Sequence, residues 1–284
     1  MTVKIVTDSV ADLPPQVVEE LGITVIPVLI RFGDEVYRDG IDMTTEEFYQ
    51  KLASSKTLPN TSVPPPLTFA EAYDKLADET DQILAIILSS RLSGAYNVAL
   101  QSIGLMKRKC RVEVVDSRWA TMAQGFIAIT AARAAKAGAS LDEVMALAQH
   151  NISRVDIRAA FDTLEYLKRG GRIGRAQALL ASTLNIKPII TLRDGVVVPA
   201  GRVRSRAKAI DYLYDFAMSF SHIDEIAIED TCAPNEAELL RERLGSSFPK
   251  ERIYRSGTTP VIGTHTGPGL LLVAILGDKQ RPTN

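Results

Sequence analysis

The chain has 284 residues, of which 46% are hydrophobic and 24% are charged, and its formal net charge at pH 7 is −1. We expect a soluble globular protein with one large or two ordinary domains. The near-zero charge excludes the broad positive field of a nucleic-acid-binding protein. The longest late apolar run, residues 270–276, is too short to span a bilayer.

The N-terminus enters a strand pattern directly and lacks the apolar segment of a signal peptide. Cys110 and Cys232 are isolated, which is typical of reduced thiols, and we therefore expect a cytoplasmic protein. The histidines His150, His222 and His265 match no zinc spacing, so no metal site is expected.

In the first half, apolar runs alternate with helix signals. Strands are predicted at residues 3–7, 23–32, 83–88 and 112–115. Helices are predicted to end before Gly22 and to span about residues 119–137, before Gly138. Capping boxes predict three more helix starts, at Thr44 with Glu47, Thr68 with Glu71, and Ser140 with Glu143. This alternation indicates a mostly parallel sheet with helices on both faces.

Polar residues follow three of these strands where each strand ends. They are Asp8 and Ser9, the segment 89–93, and Asp116 with Ser117. Ligands of parallel sheets bind at the carboxyl ends of the strands, so we expect these residues to converge on one crevice. Ser93 also precedes a helix start, where free N–H groups and the helix dipole favour an anion. The predicted site therefore holds an anion rather than cleaving a substrate.

The pattern changes near residue 155, where hairpins mix with helices. Strands are predicted at residues 157–161, 186–192, 196–198, 223–228, 253–255 and 270–276, and helices within 202–220 and at 235–244. Arg193-Asp194-Gly195 predicts a hairpin turn. A basic, glycine-rich turn is predicted at 166–175 and a loop at 263–269. We expect a second α/β domain with a mixed or antiparallel sheet.

Six motifs follow one another along nearly the whole chain. They are Thr7-Asp8-Ser9 with Asp12-Leu13, Thr61-Ser62-x-Pro64, Ser89-Ser90-x-Leu92-Ser93-Gly94, Val115-Asp116-Ser117, Leu164-x-Tyr166-Leu167-x-x-Gly170-Gly171-Arg172-Ile173, and Gly263-Thr264-His265-x-Gly267-Pro268-Gly269. In this order they resemble the DegV family of bacterial two-domain fatty-acid-binding proteins. Two positions depart from the family pattern: Ala95 stands where threonine is usual, and Pro65 with Pro66 stands where a serine is common.

The resemblance implies a two-domain α/β fold. Residues 1–155 would form the parallel domain and residues 156–284 the mixed one, with a long-chain fatty acid in a tunnel between them. It also implies that the chain is a carrier without catalytic activity or a cofactor of its own. A separate fatty-acid kinase, which holds ATP and magnesium, would phosphorylate the bound acid to an acyl phosphate.

The resemblance assigns the carboxylate of the fatty acid to five residues: Thr61, Ser62, Ser93, Gly94 and His265. The residues alone leave other roles open, because serine is a common helix N-cap, Thr-Ser pairs form local turns, and a lone histidine is usually structural.

Asp8, Ser9 and Gly267 are expected to support this site from behind. Asp8 and Asp116 are interpreted as residues that cap helices and brace loops rather than as a catalytic acid pair.

Two basic clusters remain: Lys168, Arg169, Arg172 and Arg175, and then Arg202, Arg204 and Arg206. They form either a solvated face or a docking patch for an acidic partner or for anionic lipid headgroups during ligand exchange. The candidates for docking are Arg169, Arg172, Arg202 and Arg204.

Two alternative functions stay open. A serine hydrolase or acyltransferase would use Ser93 as nucleophile, with His265 as a candidate base, although the chain lacks a G-x-S-x-G elbow. A regulator would bind a phosphorylated metabolite in the same anion pocket. The glycines around His265 do not fit a dinucleotide fingerprint, because no βαβ start precedes them.

Overall fold

The computed structural model describes residues 2–181 and 186–280. Two compact units make up the chain. The first comprises Met1–Ser153 together with Thr259–Val261, and the second comprises Arg154–Thr258 and Ile262–Asn284. A three-residue segment late in the sequence therefore belongs to the first unit.

The first unit contains a parallel sheet and a small antiparallel one. Its strands are β1 Lys4–Asp8, β2 Thr24–Ile26, β3 Leu29–Phe32, β4 Glu35–Arg38, β5 Asn60–Ser62, β6 Gln82–Ile87 and β7 Arg111–Asp116. Its helices are α1 Pro15–Leu21, α2 Thr45–Ser54, α3 Pro66–Ala77, α4 Ala95–Ser102, α5 Thr121–Lys136 and α6 Leu141–Ile152. The parallel sheet has the order β2-β1-β6-β7, and the antiparallel sheet has the order β4-β3-β5. The predicted fold class, with a mostly parallel sheet and flanking helices, is confirmed for this half.

Two of the three predicted capping boxes are confirmed. Thr44 with Glu47 and Ser140 with Glu143 form reciprocal bonds at the starts of α2 and α6. The box predicted at Thr68 is wrong, because α3 already begins at Pro66. Proline at the first helical position presets the helical φ angle and lacks the N–H that would be unpaired there.

The strand predicted at residues 23–32 is two strands in different sheets. Pro27 lies between β2 and β3 and has no N–H to donate to a ladder. β2 pairs with β1, whereas β3 pairs with β4 and β5. The break therefore creates the small sheet that carries Thr61 and Ser62.

Helix α5 fills the core of the first unit. Most of its residues are buried, because it packs against β1, β6 and the short 3-10 turn Ser9–Ala11. A methyl group on Gly125 would come within 2.7 Å of the Ala11 carbonyl oxygen, so only glycine permits this close approach.

The second unit is built on one mixed sheet. Its strands are β8 Val155–Ala160, β9 Lys187–Arg193, β10 Val196–Val203, β11 Phe220–Asp230, β12 Ile253–Gly257 and β13 Leu271–Lys279. Its helices are α7 Glu165–Arg169, α8 Arg206–Met218 and α9 Pro234–Leu244, and α10 Pro260–Thr266 begins in the first unit and ends in the second. The order is β10-β9-β8-β13-β11-β12, and β11 and β12 form its parallel pair. The predicted mixed sheet is confirmed.

The hairpin turn predicted at residues 193–195 is confirmed, whereas the prediction of a loop that begins at residue 263 is wrong. Asp194 and Gly195 both have positive φ angles, 51° and 77°, which suits the tight turn between β9 and β10. Residues 263–266 belong to α10 rather than to a loop, and Gly267 ends this helix with φ 67°. The basic turn predicted at 166–175 likewise begins with a helix, α7.

Among the residues that the structure describes, no helix combines the length and the apolar character needed to cross a membrane.

Candidate functional site

The ends of β1 and β6 are joined by the carboxylate of Asp8. This fully buried side chain accepts the Val10 N–H (3.0 Å) through one oxygen and the Leu88 N–H (2.9 Å) through the other. The first bond fixes the turn after β1, and the second fixes the start of the turn after β6. Burial raises the pKa of Asp8 to about 6, although these hydrogen bonds oppose the shift.

A second carboxylate joins the ends of β6 and β7. Asp116 accepts the Ser90 N–H (3.1 Å) and the Ser90 hydroxyl (2.5 Å). The Ser89 N–H donates to the Trp119 carbonyl oxygen (2.9 Å) in the segment after β7. The three polar strand ends therefore lie together, as the sequence predicts.

Ser93 lies one residue before the N-cap of α4, which is Gly94. Its hydroxyl oxygen accepts the N–H of Ala95 at 3.2 Å, and the side chain is half-buried. The serine therefore caps the first helical residue from outside the cap position, and its hydroxyl proton is available to an anion.

Thr61 and Ser62 lie on β5, an edge strand, and not in a loop. They face Ile30 and Leu29 across the antiparallel pair. The next residue, Val63, approaches the start of α4: a methyl group on Gly94 would be 3.8 Å from Val63 Cγ2. The structure thus brings Thr61, Ser62, Ser93 and Gly94 into one neighbourhood, here called the hydroxyl set.

His265 lies in the last turn of α10, within the second unit. Its half-buried ring packs directly on Gly170, where a methyl group would overlap Nδ1. Burial, and secondarily the positive charge of Arg172, lower the pKa of His265 to about 4. The imidazole is therefore neutral at pH 7, with one ring N–H that can donate a hydrogen bond and one ring nitrogen that can accept one.

The turn after His265 is shaped by close backbone approaches. A methyl group on Gly267 would overlap the ring of Tyr166, and one on Gly269 would overlap the carboxylate of Asp162. Both glycines also have positive φ angles, 67° and 88°. The motif that contains Tyr166 and Gly170 thus packs directly against the motif that contains His265.

Arg172, a predicted docking residue, lies close to the imidazole of His265, a proximity that sequence reasoning did not predict. Arg172 is half-buried and donates to the Gly170 carbonyl oxygen (2.6 Å). The signal that was available is its position two residues after Gly170 within the same motif.

Sequence reasoning also missed Asp39. This carboxylate is 2% exposed and faces the Ser9 and Thr259 hydroxyls and the Val261 N–H, without ordinary hydrogen-bond geometry to any of them. Burial, aided by the nearby charge of Asp8, raises the pKa of Asp39 to about 7. No local sequence pattern marks Asp39, because its partners lie far away in the chain.

A second residue without a clear sequence signal is Thr121, the first residue of α5. It is buried at φ 58°, a conformation that is rare for a β-branched side chain. Such outliers cluster at functional sites, and this one follows the end of β7 closely.

The remaining docking candidates are exposed arginines of the second unit. Arg169 pairs with Glu165 at 2.7 Å, while Arg202 and Arg204 lie at the end of β10 and immediately after it. Arg206, by contrast, is committed to Glu236 and Asp162. We call these three exposed arginines, Arg169, Arg202 and Arg204, the basic patch.

Within the residues described, no group of three or more His, Cys, Asp or Glu side chains is arranged to hold a metal ion. The hydrogen bond that the structure gives to the Ser93 hydroxyl oxygen comes from a backbone N–H and not from a general base.

Replacing Gly170 by alanine should displace the His265 ring. The backbone at Gly170 (φ −71°, ψ −5°) accepts alanine, so the overlap with the ring is the cause of any effect. We expect the pKa of His265 to rise from about 4 towards 6.5, because the ring leaves its buried position. Histidine NMR titration measures this, and Gly257→Ala, with open space around it, is the control. An unchanged His265 titration in Gly170→Ala would contradict the close packing of the ring on Gly170.

Replacing Asp39 by asparagine should flatten the dependence of stability on pH. A raised pKa means that the folded state binds the proton more tightly, so wild-type stability from this group is lost as pH rises from about 4 to about 7. As pH rises from 5 to 8, the unfolding free energy of the wild type should therefore fall relative to that of Asp39→Asn. Urea unfolding measures it, with exposed Asp34→Asn as control. A difference that is constant with pH would contradict the raised pKa.

Comparison with known proteins identifies relatives over nearly the whole chain. A family model described as 'Uncharacterised protein, DegV family' matches residues 2–278. A DegV domain-containing protein from Caldanaerobacter subterraneus is 36% identical over 270 residues, which cover 94% of this chain and 95% of the relative. Protein DegV of Bacillus subtilis is 33% identical over 282 residues, with 95% and 98% covered.

Solved structures with the same fold include proteins that bind fatty acids. A fatty-acid-binding DegV family protein from Thermus thermophilus has a TM-score of 0.90 at 33% identity, covering 98% of this chain and 100% of the other. DegV from Bacillus subtilis, a fatty acid binding protein, has a TM-score of 0.88 at 31% identity, covering 97% and 99%. A stearic acid-binding protein from Eubacterium ventriosum has a TM-score of 0.85 at 25% identity, covering 96% and 98%. The order of motifs, the fold and these relatives together establish that the chain belongs to the DegV family.

Proposed function

We propose that this protein binds a long-chain fatty acid and presents its carboxylate to a separate kinase. The observation that carries the first part is the likeness, over at least 96% of the chain, to three structures of fatty-acid-binding proteins. The hydroxyl set and His265 supply the chemistry that such a ligand needs at its polar end.

The carboxylate is held by neutral donors. Ser93 and Thr61 donate hydroxyl protons, the Ser62 hydroxyl adds a further donor, and Gly94 leaves the approach open. His265 is neutral in the ligand-free protein and donates a ring N–H. A carboxylate that leaves water without such partners costs several kcal/mol, so these donors offset its desolvation.

Affinity comes mainly from the acyl chain. Each buried CH₂ group contributes about 0.8 kcal/mol, so about fifteen groups in an apolar tunnel give on the order of 10 kcal/mol before ordering costs. The polar end then has a different task, which is to fix the position of one carboxylate oxygen.

The single tryptophan offers a test of binding. The Trp119 carbonyl accepts the Ser89 N–H (2.9 Å), so its fluorescence reports on the segment that leads to Ser93. Ser93→Ala and His265→Ala should each weaken oleate binding about tenfold or more, since each removes a bond to a charged group. Exposed Ser54→Ala and His222→Ala are the matched controls.

The double variant tests whether Ser93 and His265 act on one carboxylate. Residues of one hydrogen-bond network show interaction energies of about 0.5–3 kcal/mol in a double-mutant cycle. Strictly additive losses would contradict a shared ligand. The carrier function as a whole would be contradicted if mass spectrometry found no fatty acid in an organic extract of the purified protein. Stoichiometric labelling of Ser93 by a fluorophosphonate would also contradict it.

The kinase step requires only that the carboxylate oxygen be positioned. That oxygen attacks the γ-phosphorus of ATP, the bond to the β-phosphate oxygen breaks, and acyl phosphate and ADP form. Phosphoryl transfer depends chiefly on positioning and charge stabilisation, which the kinase supplies through its own ATP and magnesium.

The basic patch is the surface that we propose for docking. Reversing its charge with Arg202→Glu and Arg204→Glu should lower acyl-phosphate formation by the kinase about tenfold or more, because rim charges steer association with an acidic partner. Oleate affinity should stay unchanged.

Exposed Lys109→Glu in the first unit is the control for charge reversal. Full kinase activity of the patch variants would contradict docking there. If the variants instead lose co-sedimentation with anionic vesicles while retaining kinase activity, the patch contacts lipid headgroups.

A further inference from the structure

Helix α10 begins in one unit and ends in the other. Its seven residues carry His265 near the C-terminal end, whereas Pro260 and Val261 belong to the first unit together with Thr259. Gly170 contacts the ring near the C-terminal end of the helix, and residues of the first unit contact the segment Thr259 to Val261 at its start.

Asp12 holds the residue that precedes the helix. Its Oδ1 accepts the Thr259 N–H at 2.9 Å, and its side chain is 2% exposed. The backbone of Asp12 has φ 50° and ends the 3-10 turn after β1, with its own N–H bonded to the Ser9 carbonyl oxygen. This contact spans 247 positions of the sequence.

Asp39 faces the same segment from a different part of the first unit. Its buried carboxylate is directed at the Thr259 hydroxyl and at the Val261 N–H, which lies within the first turn of α10. The charge of Asp8 and the hydroxyl of Ser9 also act on this carboxylate. Two acidic side chains thus enclose the start of the helix.

We propose that Asp12 and Asp39 are positioning residues for His265, which they control by anchoring the first turn of α10. This inference rests on the proposed function only in naming what the histidine binds. The helix is short and continuous, about 1.5 Å per residue, and the Thr266 hydroxyl bonds back to the Ile262 carbonyl at 3.0 Å. A displacement of its first turn is therefore passed to the ring.

The first test uses the protein without fatty acid. Asp12→Gly removes the acceptor and does not strain the backbone, since glycine accepts φ 50°. We expect the ring resonances of His265 to shift or broaden and its titration midpoint to move upward by one pH unit or more. His150 and His222 should be unaffected and serve as internal references.

Two variants separate this effect from a general loss of structure. Asp12→Asn keeps an oxygen acceptor and should restore the wild-type His265 signal. Asp194→Gly makes the same change at a similar φ angle (51°) in an exposed hairpin turn, and should leave His265 unchanged. If Asp12→Gly does not fold, Asp39→Ala tests the second anchor with the same readout.

The second test measures the consequence for the ligand. Oleate should dissociate about five- to tenfold faster from Asp12→Gly than from wild type, because the histidine donor is misplaced. A His265 signal identical to wild type in folded Asp12→Gly and Asp39→Ala would overturn the proposal. Altered His265 signals in a protein that binds no fatty acid would support the anchor and count against the proposed function instead.

Discussion

The Asp8 carboxylate is the contact on which the rest of the first-unit site depends. By accepting the Leu88 N–H it fixes the turn that leads to Ser93, and by accepting the Val10 N–H it fixes the turn that ends at Asp12. One buried side chain therefore bonds both the segment that leads to Ser93 and the turn that ends at Asp12. Its raised pKa reflects the cost, because a carboxylate with few donors in a buried position is held less favourably than in water.

Neutral donors suit a site that binds a carboxylate and then leaves it reactive. A fully paired cation would hold the oxygen more tightly but would also withdraw the charge that attacks phosphorus. In the ligand-free protein, burial and secondarily the charge of Arg172 keep His265 neutral, so it can offer a ring N–H to the proposed carboxylate. In the proposed complex the hydroxyl groups donate in the same way, and the acyl chain supplies most of the affinity.

Local signals in the sequence predicted the features that local chemistry determines. The capping boxes at Thr44 and Ser140, the turn at Gly195 and the polar strand ends are all specified by neighbouring residues. The errors arise where distant contacts or prolines decide. Pro27 divides an apolar run that was predicted to be one strand. Three prolines precede or begin α3, which starts at Pro66 rather than near Thr68. The glycines around His265 favoured a loop where the structure has a helix. Asp39 has no local pattern at all, because its role depends on residues more than 200 positions away.

The segment around Gly170 connects the histidine with the basic patch. Arg169 lies on α7, Gly170 supports the imidazole, and Arg172 lowers the pKa of His265 through its positive charge. An acidic group of a partner placed next to Arg172 would offset this charge and raise the pKa of the histidine. If a partner docks on the patch as proposed, the same helix and turn give it a direct electrostatic effect on His265.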